Sequence, residues 1–283
     1  MDDLAALRWQ VEIGADEAIA SAPVDRLARA EVPRPVQQVA QPAVAQPVAP
    51  QPAVAEPAVA EPPASTAAPR SVAAALPVAP AARRAAEIAA AATTREALRA
   101  ALAAFDGCAL AATATNLVFA DGNPDAGLML VGEGPGAEED RAGLPFVGPS
   151  GKLLDRMLAS IGLDRTRFLI TNLIPWRPPG NRNPTDAEVA ICLPFLMRHI
   201  ALVRPRRLVL LGAAATQAVT GSKSGIRSVR GSWQNVAILG LENPVPALPM
   251  LHPAYLLRSP GAKREAWADL ISLRRALDQD AQR

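Results

Sequence analysis

The sequence predicts an α/β fold: a three-layer α/β/α sandwich around a central four-stranded parallel sheet, preceded by a disordered Pro/Ala-rich segment. Two patterns and one change of composition lead there. Short apolar runs recur, among them Leu128–Val131, Arg207–Leu211 and Ala247–Leu251, without the polar alternation of a half-exposed strand. Stretches of helical periodicity separate them, so the strands run parallel with helices over both faces. Upstream of about residue 80 the chain changes character, repeating Pro, Ala, Val and Gln in QPAVAQPVAPQPAVAEPAVAEPP.

Residues 1–31 form an N-terminal segment in which Leu4, Leu7 and Val11 share helical spacing, predicting a short helix from Leu4 to about Ile19. Such an isolated helix is marginal alone and could dock on a protein partner. Residues 32–80 are a linker, because recurrent Pro blocks helix and sheet alike and little can be buried. The folded domain is residues 81–283. It opens with an Ala-rich helical stretch, Ala81–Ala104, broken at Thr93 or Thr94 with Glu96 as a capping signal. Strand Gly127–Val131, helix Gly151–Ile161 and strand Arg167–Leu173 follow. Thr185-Asp186-Ala187-Glu188 is a capping box opening a helix from Asp186 to about Val203. Strand Arg207–Leu211 and helix Ala213–Thr220 come next. Ile226–Arg230 and Val236–Leu239 read as a short hairpin, Ala247–Leu251 as the fourth core strand, and Lys263–Leu277 as the closing helix.

The net charge of +2 hides a split. Residues 1–139 carry 9 Lys/Arg against 17 Asp/Glu, a balance of −8, and residues 140–283 carry 20 against 10, a balance of +10. A basic half suits a polyanion such as nucleic acid, or is simply a solvated basic surface. MDDLAALRWQ is no signal peptide and no stretch has the purity of a membrane span. Two distant cysteines, Cys108 and Cys192, give no disulfide framework and fit a reducing cytoplasm.

Loops at the carboxyl ends of such strands converge on one edge, where open α/β sheets bind ligands. The first strand delivers Gly132-Glu133-Gly134-Pro135-Gly136, a turn whose backbone can approach a flat ligand, then Phe146 in a loop. The second delivers Asn172 and a Pro-rich loop with Arg177 and Arg182, and the fourth His252-Pro253-Ala254-Tyr255-Leu256-Leu257-Arg258. Each has a plain structural reading: Asn172 as a turn cap, Phe146 as core packing, His252 as a buried histidine. Their shared edge argues for function. The chain's other histidine, His199, is expected mid-helix, on a helix face.

Two glycine motifs compete for the first loop. Gly132, Gly134 and Ala137 match the dinucleotide fingerprint, but Pro135-Gly136 stands where the helix should begin, and Glu138-Glu139-Asp140 would repel a pyrophosphate. The next convincing helix is expected only after Gly148. A phosphate-binding P-loop fails because Leu153 follows Gly151-Lys152 and Phe146 replaces the first glycine. There is no activated Ser or Cys nucleophile and no clustered metal-ligand set. An amide, an aromatic face and a histidine together suit a planar base. An amide pairs with the adjacent C=O and N–H of a pyrimidine, Phe stacks on it, and His donates to charge growing on a base oxygen. Glu133 could hold the water that captures the sugar cation. The Leu256-Leu257-Arg258 tip offers an apolar wedge beside a cation, as base-flipping enzymes need.

GEGPGAEEDRAGLPFVGPSG, ITNLIPWRPPGNR and HPAYLLR, in this order, resemble the family 4 uracil-DNA glycosylases, the bacterial and archaeal iron–sulfur branch of that superfamily. The likeness covers about Phe105 to Leu277. It implies a four-stranded parallel α/β/α domain that excises uracil from DNA in base excision repair; the chain is expected to be a monomer, cytoplasmic and associated with the nucleoid through DNA. By position, Glu133 matches the acid beside the attacking water and His252 the histidine that stabilises the leaving uracil anion. Phe146 matches the stacking aromatic and Asn172 the amide that reads the uracil edge, with Gly132 and Gly134 beside them. Leu256, Leu257 and Arg258 match the loop entering the minor groove, and Arg177 and Arg182 add cations for DNA. The family also binds a 4Fe–4S cluster through four cysteines. Aligned here, the ligand positions hold Phe105, Cys108, Trp176 and Cys192, so the expectation is no cofactor, with the two thiols packed as small hydrophobes. A related protein captures uracil-DNA covalently through a loop histidine; Arg177–Arg182 has none, which implies turnover. The alternatives are a non-catalytic module that binds uracil or damaged DNA and, less favoured, a dinucleotide-binding enzyme.

Overall fold

The computed structural model describes residues 78–282. The expected helix at Leu4–Ile19 and nearly all of the linker lie outside the described residues. The domain begins with α1 (Val78–Ala91) and α2 (Arg95–Ala103). Thr94 caps α2, its Oγ1 accepting from Ala97 N at 3.1 Å, so the Ala-rich stretch does break in two. Then follow α3 (Ala109–Thr113), β1 (Ala120–Gly122), β2 (Leu128–Gly132), α4 (Ala137–Ala142), α5 (Pro149–Ala159) and β3 (Leu169–Asn172). The second half contains α6 (Asp186–Val203), β4 (Arg207–Leu211), α7 (Ala213–Thr220), α8 (Ile226–Val229) and β5 (Gln234–Val236). It closes with β6 (Val245–Met250), α9 (Pro253–Arg258) and α10 (Lys263–Ala281).

The sheet order is β1-β3-β2-β4-β6-β5. The central strands β3, β2, β4 and β6 are parallel, as the apolar runs predict. The sheet nonetheless has six strands, because β1 and β5 add antiparallel edges of three residues each. The hairpin reading fails: Ile226–Val229 is one helical turn, and Gln234–Val236 pairs with β6 instead. With β4 on its other side, β6 has no free edge for a second partner.

Strand periodicity makes the layers. Leu128, Leu130, Val209 and Leu211 point to one face, where Leu154 and Leu158 of α5 and Leu270 and Leu273 of α10 cover them. Met129, Val131, Leu208 and Leu210 point to the other, beneath Ala85 of α1, Leu98 of α2 and Phe195 and Ile200 of α6. Burying each of the larger side chains stabilises the fold by about 1.5–3 kcal/mol relative to exposure. The capping box of α6 forms as expected: Thr185 N donates to Glu188 Oε2 at 2.8 Å and Glu188 N to Thr185 Oγ1 at 3.3 Å. No described helix is long and apolar enough to cross a membrane. The chain leaves β2 toward β3 on one side, yet β4 lies on the other, so a topological switch point opens at the carboxyl end of β2.

Candidate active site

Gly132 closes β2 and pairs in register with Asn172 at the end of β3. A Cβ on Gly132 would stand 2.4 Å from Asn172 Oδ1 and 2.4 Å from Phe146 Cζ, so only glycine lets the amide and the ring approach each other here. The Phe146 ring lies 5.8 Å from the His252 ring, tilted by 34°. Gly212, at φ 93° beyond β4, passes close to His252, where a Cβ would come 3.1 Å from that of the histidine. Glu133 follows Gly132, and its carbonyl accepts from Ile174 N at 2.9 Å, tying the first loop to the second. Gly134 faces Ile174 at ordinary contact distance. Phe146, Asn172, His252 and the Gly132–Glu133 turn therefore occupy one edge, as the sequence predicts.

Two features are suited to a polar ligand. Asn172 is 5% exposed and its Oδ1 has no hydrogen-bond partner among the described residues. Such an orphan costs about 1–3 kcal/mol unless something satisfies it. His252 caps α9, its Nδ1 accepting from Ala254 N at 3.1 Å. That bond consumes the Nδ1 lone pair, so the neutral ring carries its hydrogen on Nε2. Burial, reinforced by the nearby Arg258 cation and opposed by Glu139, lowers the His252 pKa to about 4. At neutral pH the ring is thus an uncharged donor. Burial also raises the Glu133 carboxyl above its ordinary 4.5.

Phe146 sits in the left-handed region at φ 57°, which costs an L-residue about 1–2 kcal/mol. Its carbonyl packs so close to Gly151 that a Cβ there would be 1.8 Å from the oxygen. The acidic run after the first loop is not a solvated patch. Glu139 Oε2 accepts from Gly136 N at 3.1 Å and Oε1 from Gly148 N at 2.8 Å, joining the glycine turn to the Phe146 loop. Asp140 accepts from Thr115 N and Asn116 N at 2.8 and 3.1 Å. A helix does begin before Gly148, namely α4, but Glu139 already holds the Gly136 amide at its start, where a pyrophosphate would need to bind. The sequence reading missed Glu139 as a tie; its only signal was the Glu three residues after Gly136, the acidic half of a capping box whose N-cap here has no side chain.

At the tip, Leu256 is fully buried with Leu153, Leu251, Ala262 and Ala266, so it cannot be part of an exposed wedge. Leu257, 44% exposed, is the apolar side chain that faces out, and Arg258 is exposed beside it. Arg182 is engaged by Glu188 through bonds of 2.8 and 2.6 Å, whereas Arg177 donates to the neutral Asn181 at 2.7 Å and has no carboxylate partner among the described residues. His199 is buried, stacked 4.5 Å from Phe119, and accepts from Arg95 at 3.3 Å. A cleft of about 730 Å³ opens at the amino ends of β4 and β6, lined by Arg204, Arg206, Arg207, Glu242 and Asp280 among others, but it contains no histidine and no aromatic ring.

The four positions aligned with cluster ligands are all buried, Phe105, Cys108, Trp176 and Cys192 lying in one apolar cluster. Phe105 packs edge-on against Phe195 with centroids 5.3 Å apart. The two buried thiols interact: Cys192 holds the Cys108 thiol below the usual range, while Cys108 and burial push Cys192 well above it. Among the described residues no group of three or more His, Cys, Asp or Glu side chains is placed to hold a metal ion. Two thiols and two apolar rings do not match the donor set of a 4Fe–4S cluster.

Residues 119–271 match the family model described as "Uracil DNA glycosylase superfamily". The Type-4 uracil-DNA glycosylase of Pyrobaculum aerophilum is 39% identical over 169 residues, covering 58% of this chain and 85% of that protein. That of Thermotoga maritima is 42% identical over 153 residues, 54% and 77% respectively. That of Archaeoglobus fulgidus is 41% identical over 166 residues, 57% and 82%. The matched stretch holds the parallel sheet and all four converging loops, and the chain belongs to the uracil-DNA glycosylase superfamily.

Proposed function

We propose that the protein is a monofunctional uracil-DNA glycosylase that hydrolyses the N-glycosidic bond of deoxyuridine in DNA, working as a single subunit without an iron–sulfur cluster. The observation that carries this reading is the buried, unpartnered Asn172 Oδ1 beside the Phe146 ring. An extruded uracil stacked on Phe146 satisfies it: Oδ1 accepts from the base N3–H while the amide nitrogen donates to the neighbouring carbonyl. The neutral His252 then donates from Nε2 to the other base carbonyl as negative charge builds there. The Glu133 carboxylate orients the water that adds to the sugar, giving free uracil and an abasic site. No lysine lines these loops as a nucleophile, so the strand stays intact.

Extrusion costs a few kcal/mol, least in single strands and mismatches. Leu257 is the wedge that fills the vacated stack, with Arg258 and Arg177 as phosphate partners. The Cys108–Cys192 pair is a remnant whose lost partners are replaced by ring packing. A readied donor and a carboxylate favour turnover over mere binding of damaged DNA. The test incubates the protein with a single-stranded oligonucleotide carrying one deoxyuridine, then measures free uracil and alkali-labile sites. Uracil release that depends on Asn172 and His252 is expected. Tight binding with no uracil released would overturn the catalytic reading.

A further inference from the structure

Arg165 stands outside the site, in a single turn (Arg165–Arg167) before β3, yet its guanidinium reaches the Phe146 loop. All five of its N–H donors are used. Nε donates to Asp155 Oδ1 at 2.8 Å and Nη2 to Asp155 Oδ2 at 3.2 Å, while Nη1 donates to Asp121 Oδ2 at 3.1 Å. The remaining two go to consecutive backbone carbonyls, Nη1 to Pro145 O at 3.3 Å and Nη2 to Phe146 O at 2.6 Å.

Those two carbonyls flank the φ and ψ bonds of Phe146. Fixing both restrains the backbone of the residue, and hence the direction in which its Cα–Cβ bond leaves the loop. Phe146 needs such a hold, because at φ 57° it sits where a bulky L-residue does not rest unaided. The two carboxylates anchor the fork from α5 and β1, so the clamp rests on the rigid body of the fold rather than on the loop. A lysine, with three donors on one nitrogen, cannot span this arrangement.

We propose that Arg165 is a positioning residue that holds Phe146 in its base-stacking pose, a role that rests on the uracil-binding reading above. The test compares wild type with Arg165→Gln and Arg165→Lys, and uses Arg207→Gln as a structural control. Arg207 makes a similarly buried fork to Asp280 at the amino end of β4. Hydrogen exchange at the amides of residues 146–148, kcat on deoxyuridine DNA and inhibition by free uracil are measured alongside melting temperature.

Arg165→Gln is expected to speed exchange at 146–148, lower kcat about 10- to 100-fold and weaken uracil inhibition about tenfold. Arg165→Lys recovers melting temperature more than kcat. Arg207→Gln lowers melting temperature only. Unchanged exchange, or unchanged uracil inhibition and kcat in an active enzyme, overturns the proposal. If wild type releases no uracil, the functional reading fails separately, and exchange at 146–148 still decides whether Arg165 is the clamp.

Discussion

Asn172 shows how a binding function weighs on a single residue. Its Oδ1 is buried and unpartnered among the described residues, an arrangement that calls for a ligand or a water to complete it. Asn172→Ala is therefore expected to lower kcat/KM on deoxyuridine DNA about 10- to 100-fold, the loss of one or two good hydrogen bonds, with little loss of melting temperature. A parallel fall in stability would mean the amide is structural. His252 carries a pH signature. Its folded pKa of about 4, like that of His199 at about 3, lies below the unfolded value of 6.5. The unfolded chain then binds protons that the folded one refuses, so stability is full above pH 6.5 and lost as pH falls toward 4. Melting temperature against pH should show this slope, and His252→Gln should make it shallower. That the Gly132–Glu133 turn, Phe146, Asn172 and His252 meet at one edge was legible in sequence, because each lies at a strand end or in the loop beyond it. Glu139 and Arg165 were not, since their roles lie in the backbone groups they hold. Leu256 and Leu257 are alike as letters, and only packing tells which one is buried.

The elements that position the site are short and tightly specified. The Phe146 loop depends on Gly151 in the first turns of α5, where any side chain would collide with the Phe146 carbonyl. Gly151→Ala should destabilise the protein by about 2–4 kcal/mol in denaturant titration and impair uracil release with it. On the proposed function, the tip of α9 serves the DNA strand and not the base. Leu257→Ala should weaken excision from duplex DNA more than from single strands and leave inhibition by free uracil unchanged; equal loss on both substrates would argue against a wedge. The boundaries of α6 could be read from sequence because a capping box and a preceding proline mark its start. The edges β1 and β5 could not, since three residues are too few to show a period. One helical turn at Ile226–Val229 carries the same letters as a short strand, and pairing partners alone decide between them.

Over the whole molecule, charge and core composition act together. The excess of +10 over residues 140–283 falls on the part of the chain that holds three of the four converging loops, which suits a polyanionic substrate. The ring-filled cluster around Cys108 and Cys192 fastens α1 and α2 to α6 by apolar packing. Anaerobically purified protein should accordingly contain no stoichiometric iron and show no visible absorbance band, and chelators should leave its melting temperature unchanged. Iron at four atoms per chain would refute this. The central claim is that Gly132, Phe146, Asn172 and His252 surround one extruded uracil. A crystal structure with free uracil bound tests it most directly. It should show the ring stacked on Phe146, N3–H within hydrogen-bond distance of Asn172 Oδ1 and a base carbonyl facing His252 Nε2; uracil bound elsewhere, with this slot left empty, would contradict it.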